Sequence, residues 1–162
     1  MQHRRKQWIP LVGTAGGLGT PRSVRALHDI VQRWKPKIVF LMETKSKVKH
    51  MEKIKNNVGF ANGFIVPSQG RSGGVDLFWT REINLEIKSF SGNHIDAVVR
   101  EVDKNSIWKI TGFYGHPETH RRYESWRLLS FLHSQFQLLW LCLGDFNGIL
   151  SMHKKARGSV RS

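Results

Sequence analysis

Pro36-Lys37-Ile38-Val39-Phe40-Leu41-Met42-Glu43-Thr44-Lys45 decides how the rest of the chain is read. Ile38 to Met42 are all apolar, rich in β-formers and without polar alternation, which predicts a strand covered on both faces in the middle of a sheet. Glu43 stands at its carboxyl end. Upstream, Thr20-Pro21 is a helix start, since the hydroxyl caps free N–H groups and proline is pre-set for the first helical position. Val24, Leu27, Ile30 or Val31, and Trp34 recur at three- and four-residue spacing, predicting a helix over residues 22–34 that Pro36 ends. Downstream, Val48, Met51, Ile54 and Val58 predict a second amphipathic helix over residues 46–57. Its other faces carry Lys47, Lys49, Lys53 and Lys55, and Gly59 is placed to stop it.

After Gly59 the apolar period changes to two, predicting strands over residues 63–66, 74–79, 84–90, 95–102 and 107–114, with Asp103-Lys104-Asn105 as a hairpin connection. Tyr123, Trp126, Leu129 and Leu132 predict a third helix over residues 119–134 with these side chains towards a core. Residues 138–143 then read as another buried strand, ending at Gly144-Asp145. Helix, strand, helix, several strands, helix, strand is the order of a mixed α/β domain whose helices cover sheets. The glycines of residues 13–19 lack the Gly-Lys-Ser/Thr ending of a phosphate loop and read as a connection.

The chain has 162 residues, enough for one domain with a sizeable core, and 40% of them are hydrophobic. Its 26 Lys+Arg against 12 Asp+Glu give a formal charge of +14, which favours a phosphate-bearing partner. A reading frame that has drifted basic accounts for the same excess. Cys142 is the only cysteine and lies in an apolar run, so it has no disulfide partner within the chain and is expected in the core of an intracellular protein. No apolar run approaches the ~20 residues that span a bilayer, so no membrane role is expected.

The chemistry-bearing positions cluster at strand ends. Asp145 and Asn147 are two apart in Gly144-Asp145-Phe146-Asn147, so in an extended segment they point to the same side. Ligands of α/β folds gather beyond the carboxyl ends of strands. With Glu43, this carboxylate and carboxamide could hold a hard divalent cation through oxygen and orient a water beside a phosphate. Taken singly, each has an ordinary structural use: Glu43 as a solvated strand end, Asp145 as a turn former, Tyr114 as a rim aromatic.

Together, Gly17-Leu18-Gly19-Thr20-Pro21, Val39-Phe40-Leu41-Met42-Glu43-Thr44-Lys45, Gly70-Arg71-Ser72-Gly73-Gly74, Gly112-Phe113-Tyr114-Gly115-His116-Pro117 and Gly144-Asp145-Phe146-Asn147 form an ordered series. In this order and spacing it resembles the endonuclease/exonuclease/phosphatase superfamily, and within it the apurinic-endonuclease-like domain of plant LINE-type (non-LTR) retroelements. The resemblance implies a four-layer α/β/β/α sandwich of two mixed sheets and hydrolysis of a DNA phosphodiester with Mg2+ (or Mn2+). It further implies Glu43 as metal ligand, Tyr114 contacting the scissile phosphate, Asp145 positioning or deprotonating the attacking water, and Asn147 steadying the pentacovalent centre. Arg71, Ser72, Arg121 and Arg122 would contact phosphates flanking the cut.

The chain departs from that pattern in three places. Gly13-Thr14-Ala15-Gly16-Gly17 stands where the family's first strand ends in an asparagine. Asp76 occupies a strand position usually small or apolar, where burial without a partner costs on the order of 1–3 kcal/mol or raises the carboxylate's pKa. Nothing after Asn147 matches the family's Ser-Asp-His segment, so the C-terminal part of the sandwich is expected to be missing and activity impaired or lost. The expected organisation is a basic extension over residues 1–7, a partial endonuclease-like domain over residues 8–150 and a basic tail over residues 151–162. Open sheet edges would leave a monomer or edge-mediated self-association. A nuclear, DNA-bound protein is expected; the alternatives are a non-catalytic basic nucleic-acid-binding remnant and a non-functional gene fragment.

Overall fold

The computed structural model describes residues 11–14, 20–69, 73–101, 105–115, 121–135 and 138–145. In chain order these form β1 (Leu11–Thr14), α1 (Pro21–Trp34), β2 (Ile38–Met42), α2 (Val48–Val58), β3 (Asn62–Val66), β4 (Val75–Trp79), β5 (Asn84–Ser91), β6 (His94–Glu101), β7 (Ser106–Tyr114), α3 (Arg122–Gln135) and β8 (Leu139–Asp145). The basic extension and the basic tail lie outside the described residues.

The strands make two four-stranded sheets, one in the order β1-β2-β4-β3 and the other β5-β6-β7-β8. Each is mixed: β1 runs parallel to β2 and β7 parallel to β8, while the remaining pairs are antiparallel. As its composition predicts, β2 lies inside its sheet between β1 and β4, with all five residues buried. Its alternate residues serve different layers. Ile38, Phe40 and Met42 face the other sheet with Val75, Leu77, Ile95, Ala97, Val99 and Ile110, whereas Val39 and Leu41 join Leu27, Val31, Met51, Ile54 and Val58 of α1 and α2. On the far side, the buried Lys109 of β7 donates to the Leu132 carbonyl of α3 at 2.6 Å, joining that helix to the second sheet. Helix, sheet, sheet, helix is the α/β/β/α sandwich expected.

Gly112 shows how tightly the sheets meet, because a Cβ there would lie 2.2 Å from the Phe40 ring. Thr20 caps α1 by accepting from the Ser23 N–H at 3.3 Å, with Pro21 next, and Gly59 ends α2 at φ +92°. Both features follow from the sequence.

Several expectations are corrected. Helix α3 does not turn Tyr123 and Trp126 inward: they are 58% and 41% exposed, while Leu132 is buried as expected, with Ser125 beside it. On α1, Ile30 and Trp34 are exposed while Leu27 and Val31 carry the contact. Strand β8 is not a buried strand, since it is paired with β7 on one side only among the described residues and leaves Leu139 80% exposed. Cys142 on that strand is half-buried, with its thiol pushed up to about 12, chiefly by burial.

Asp76 is fully buried in the middle of β4, and neither carboxylate oxygen has a hydrogen-bond partner among the described residues. Burial, and then the charge of Glu52, push its pKa up to about 8. The second sheet holds a better satisfied polar cluster under α3. Asp96 accepts from Thr111 at 2.6 Å and pairs with Lys109 at 3.4 Å, and the Trp140 indole donates to the Thr111 hydroxyl at 2.8 Å.

Candidate active site

The carboxyl ends of β2, β7 and β8 meet at one end of the sandwich. Glu43 follows the last residue of β2, and Tyr114 and Asp145 are the last residues of β7 and β8, facing each other in the parallel register. The two sheets touch here through main chain as well as side chain, because the Asp145 N–H points at the Met42 sulfur at 3.2 Å. The Gly115 N–H donates to the Asp145 carbonyl at 2.7 Å, extending the β7–β8 ladder past Tyr114.

Gly144, before Asp145, has φ +129°, and a Cβ there would lie 1.8 Å from the Phe113 carbonyl oxygen. Only glycine allows β8 to run this close to β7 at the site, which accounts for the Gly-Asp order.

Glu43 itself has φ +51°, a left-handed conformation uncommon for a residue with a side chain. The following backbone holds it there. The Thr44 and Lys45 N–H groups donate to the carbonyls of Gly74 and Gly73, each at 3.3 Å, and the Ser46 hydroxyl donates to the Thr44 carbonyl at 2.8 Å. Gly74 approaches Thr44 so closely that a Cβ would lie 2.3 Å from its hydroxyl oxygen. Strain persisting at one residue because its surroundings over-determine it is a feature of functional sites.

Tyr114 connects the carboxylates. Its hydroxyl donates to Glu43 Oε1 across the two sheets. Burial, then that hydrogen bond, then the charges of Glu43 and Asp145 hold the phenol well above its ordinary pKa. The phenol is thus a neutral donor at any physiological pH. Two carboxylates flanking one phenol leave negative potential that a bound cation would relieve.

Glu43, Tyr114 and Asp145 therefore stand together. Arg121 lies at the start of α3, exposed, with Nη2 3.1 Å from Glu124 Oε2. Arg122 opens α3, its side chain outside the described residues, as are Asn147, Arg71 and Ser72. At the first strand's end, Thr14 pairs with Met42 through the parallel β1–β2 register, one residue before Glu43.

One supporting residue escapes a reading of the sequence. Asn93 brackets Tyr114: its carbonyl accepts from the Tyr114 N–H at 2.7 Å and its Nδ2 donates to the Tyr114 carbonyl at 3.1 Å. Ser91-Gly92-Asn93-His94 signals a tight turn between strands but not a partner twenty-one residues on.

Among the described residues no group of three or more His, Cys, Asp or Glu could by itself cage a metal ion. The donors present are nonetheless of the right kind for Mg2+, which keeps several waters and takes one or two carboxylates.

No protein-family model matches the chain, and no curated protein matches it in sequence. Solved structures do. An AP endonuclease from Archaeoglobus fulgidus superimposes with a TM-score of 0.62 at 16% identity, covering 85% of this chain and 56% of that one. TDP2 from D. rerio, complexed with single-strand DNA product, gives 0.62 at 13% identity, covering 85% and 60%. The endonuclease domain of TRAS1, a telomere-specific non-LTR retrotransposon, gives 0.60 at 11% identity, covering 84% and 57%. These likenesses show the fold, an α+β sandwich of two sheets flanked by helices that this chain shares with those proteins. The chain spans well under two thirds of the length of each of these three structures.

Proposed function

We propose that this chain is a nuclease-like domain of retroelement origin whose chemistry is Mg2+-dependent hydrolysis of a DNA phosphodiester. The observation that carries the reading is the convergence of Glu43, Tyr114 and Asp145 from three strand ends on one point between the sheets. The ordered plant LINE-like motifs and the fold likeness to a non-LTR endonuclease domain support the origin, and DNA as substrate makes the nucleus its place of work.

In this reading Glu43 and Asp145 would hold the cation, with Asn147 in reach of Asp145 by sequence spacing. A bound Mg2+ supplies charge neutralisation at a phosphate oxygen and a more acidic water. Asp145 would orient the attacking water, or take its proton, in line with the leaving oxygen. The Tyr114 hydroxyl has one proton, given to Glu43 in the structure, and would turn from Glu43 to donate to a phosphate oxygen as charge builds there. Such chemistry depends chiefly on placing charges and a nucleophile.

Nicking of supercoiled plasmid tests the proposal. With Mg2+ the protein is expected to convert supercoiled to open-circular DNA, slowly if the impairment expected from the sequence holds, and Asp145→Ala is expected to abolish conversion. Nicking that persists in Asp145→Ala, or that survives chelation of divalent cations, contradicts it.

A second reading, a basic nucleic-acid-binding remnant without catalysis, is favoured by the +14 charge. DNA binding without nicking at any Mg2+ or Mn2+ concentration is its signature.

A further inference from the structure

The charge excess is not spread over the fold. Residues 20–58, which build α1, β2 and α2, contain ten Lys or Arg and three Asp or Glu, whereas residues 84–145, which build β5 to β8 and α3, contain seven of each. Within the sandwich the positive charge therefore belongs to one outer layer, the helix pair covering the first sheet. Arg22, Arg25, Lys45, Lys47, Lys49 and Lys53 are all exposed there, and none has an ion pair among the described residues.

This layer is also indented. A cavity of about 480 Å³ opens between α1 and α2, lined by Thr20, Val24, Arg25 and His28 of one wall and His50 and Asn57 of the other. On α2, Lys53 falls between His50 and Asn57 at three- and four-residue spacing and so shares their face. Arg22 precedes Arg25 by three and shares its face on α1. The groove is thus rimmed by cations on both walls, and the Asn57 amide and the His28 and His50 imidazoles line it beside Pro21, Val24 and the Thr20 hydroxyl that caps α1.

We infer that the α1–α2 groove is a second docking surface, separate from the strand-end site, that takes the phosphate backbone of a nucleic acid. Cations on both walls with polar hydrogen-bonding groups between them match a chain of phosphates and carry no means of reading base edges. An anionic lipid surface fits less well. A helix that lies in a bilayer interface turns a broad apolar face outward, but Leu27, Val31, Met51, Ile54 and Val58 are turned inward onto the sheet. The choice of nucleic acid rests on the reading proposed above. Its location is independent of that reading, because nothing in the groove is part of Glu43, Tyr114 or Asp145. Along the chain, residues 44–47 connect Glu43 to α2, which forms one wall of the groove.

The test is the salt dependence of duplex DNA binding by the full chain, from ~50 to ~200 mM NaCl. Arg25→Gln/Lys53→Gln is expected to weaken binding about tenfold or more and to reduce the slope of log K against log salt by about 2. Arg81→Gln/Arg100→Gln removes the same charge from exposed positions outside the layer and is expected to leave the slope within about 0.5 of the parent. Asn57→Lys adds a cation to the groove wall and is expected to steepen the slope by about 1. Equal effects of the two double variants overturn the inference, as does an unchanged slope in Asn57→Lys. Tighter binding to phosphatidylserine vesicles than to DNA, lost in Arg25→Gln/Lys53→Gln, also overturns it in favour of a lipid surface. Failure of the catalytic reading appears separately, as absence of Mg2+-dependent nicking with these slopes intact.

Discussion

The Tyr114 hydroxyl donates to the Glu43 carboxylate across the two sheets, so a residue of the second sheet fixes the orientation of a residue at the end of the first. Tyr114 is 8% exposed and bracketed by Asn93, which leaves it little freedom to turn away. Tyr114→Phe keeps the ring and its packing but removes the donor. It is expected to lower plasmid nicking by about 10²-fold while changing unfolding free energy by only ~1 kcal/mol. Chemical denaturation beside the nicking assay reads both, and a variant that nicks at the parent rate removes Tyr114 from the chemistry.

The approach of the sheets upstream of the site gives a second expectation. Gly112→Ala places a methyl against the Phe40 ring, where a Cβ has only 2.2 Å. Overpacking of this kind costs about 1–3 kcal/mol. Because the obstacle is a side chain, Phe40→Leu in the same molecule is expected to recover part of the loss, giving a non-additive double-mutant cycle. Strict additivity of the two unfolding free energies would show that the strain has another source.

Asp76 sets a pH dependence whose sign follows from linkage. Its pKa is about 8 in the fold against an ordinary 3.8, so the folded state keeps a proton that the unfolded chain releases. Its contribution is fully present below about pH 4, declines as pH rises and is gone once pH passes about 8. The decline is at most on the order of 5 kcal/mol. Asp76→Asn is expected to flatten stability against pH across that window. Asp76→Val is expected to raise stability near neutral pH by ~1–3 kcal/mol, because it removes two unsatisfied oxygens. Urea midpoints from pH 4 to 8 decide the matter, and a slope unchanged in Asp76→Asn assigns the dependence to other groups.

Strand β2 and the helices beside it are legible in the sequence because their pattern is simple: an unbroken apolar run for an inner strand and apolar residues at helical spacing for covers. Asp76 was legible too, as a carboxylate in an otherwise apolar strand. Strand β1 follows from no such pattern; Leu11-Val12-Gly13-Thr14 is four residues with a glycine, and it is held by its parallel pairing with β2. The face of α3 is misread because the helix buries Ser125 along with Leu132, while the larger Tyr123 and Trp126 mark a false stripe on the exposed side.

The cluster of Asp96, Lys109 and Thr111 is hidden for a related reason. Alternation along β6 and β7 assigns these residues to a polar, outward face, and only the placement of α3 over that face buries them. At the site, Glu43, Tyr114 and Asp145 are visible as strand-end residues of suggestive type. What the sequence lacks is the support: the left-handed turn at Glu43, the Gly73–Gly74 carbonyls that hold it, and Asn93 behind Tyr114. Each depends on contacts between segments distant along the chain.

Binding of Mn2+ followed by electron paramagnetic resonance tests the central claim most directly, because it reads the carboxylate pair without requiring turnover. One Mn2+ per chain is expected, weakened at least tenfold by Glu43→Gln and by Asp145→Asn, with the two substitutions together costing little more than the stronger one alone. Mn2+ affinity equal to the parent's in both single variants would place any metal elsewhere and contradict the proposed site.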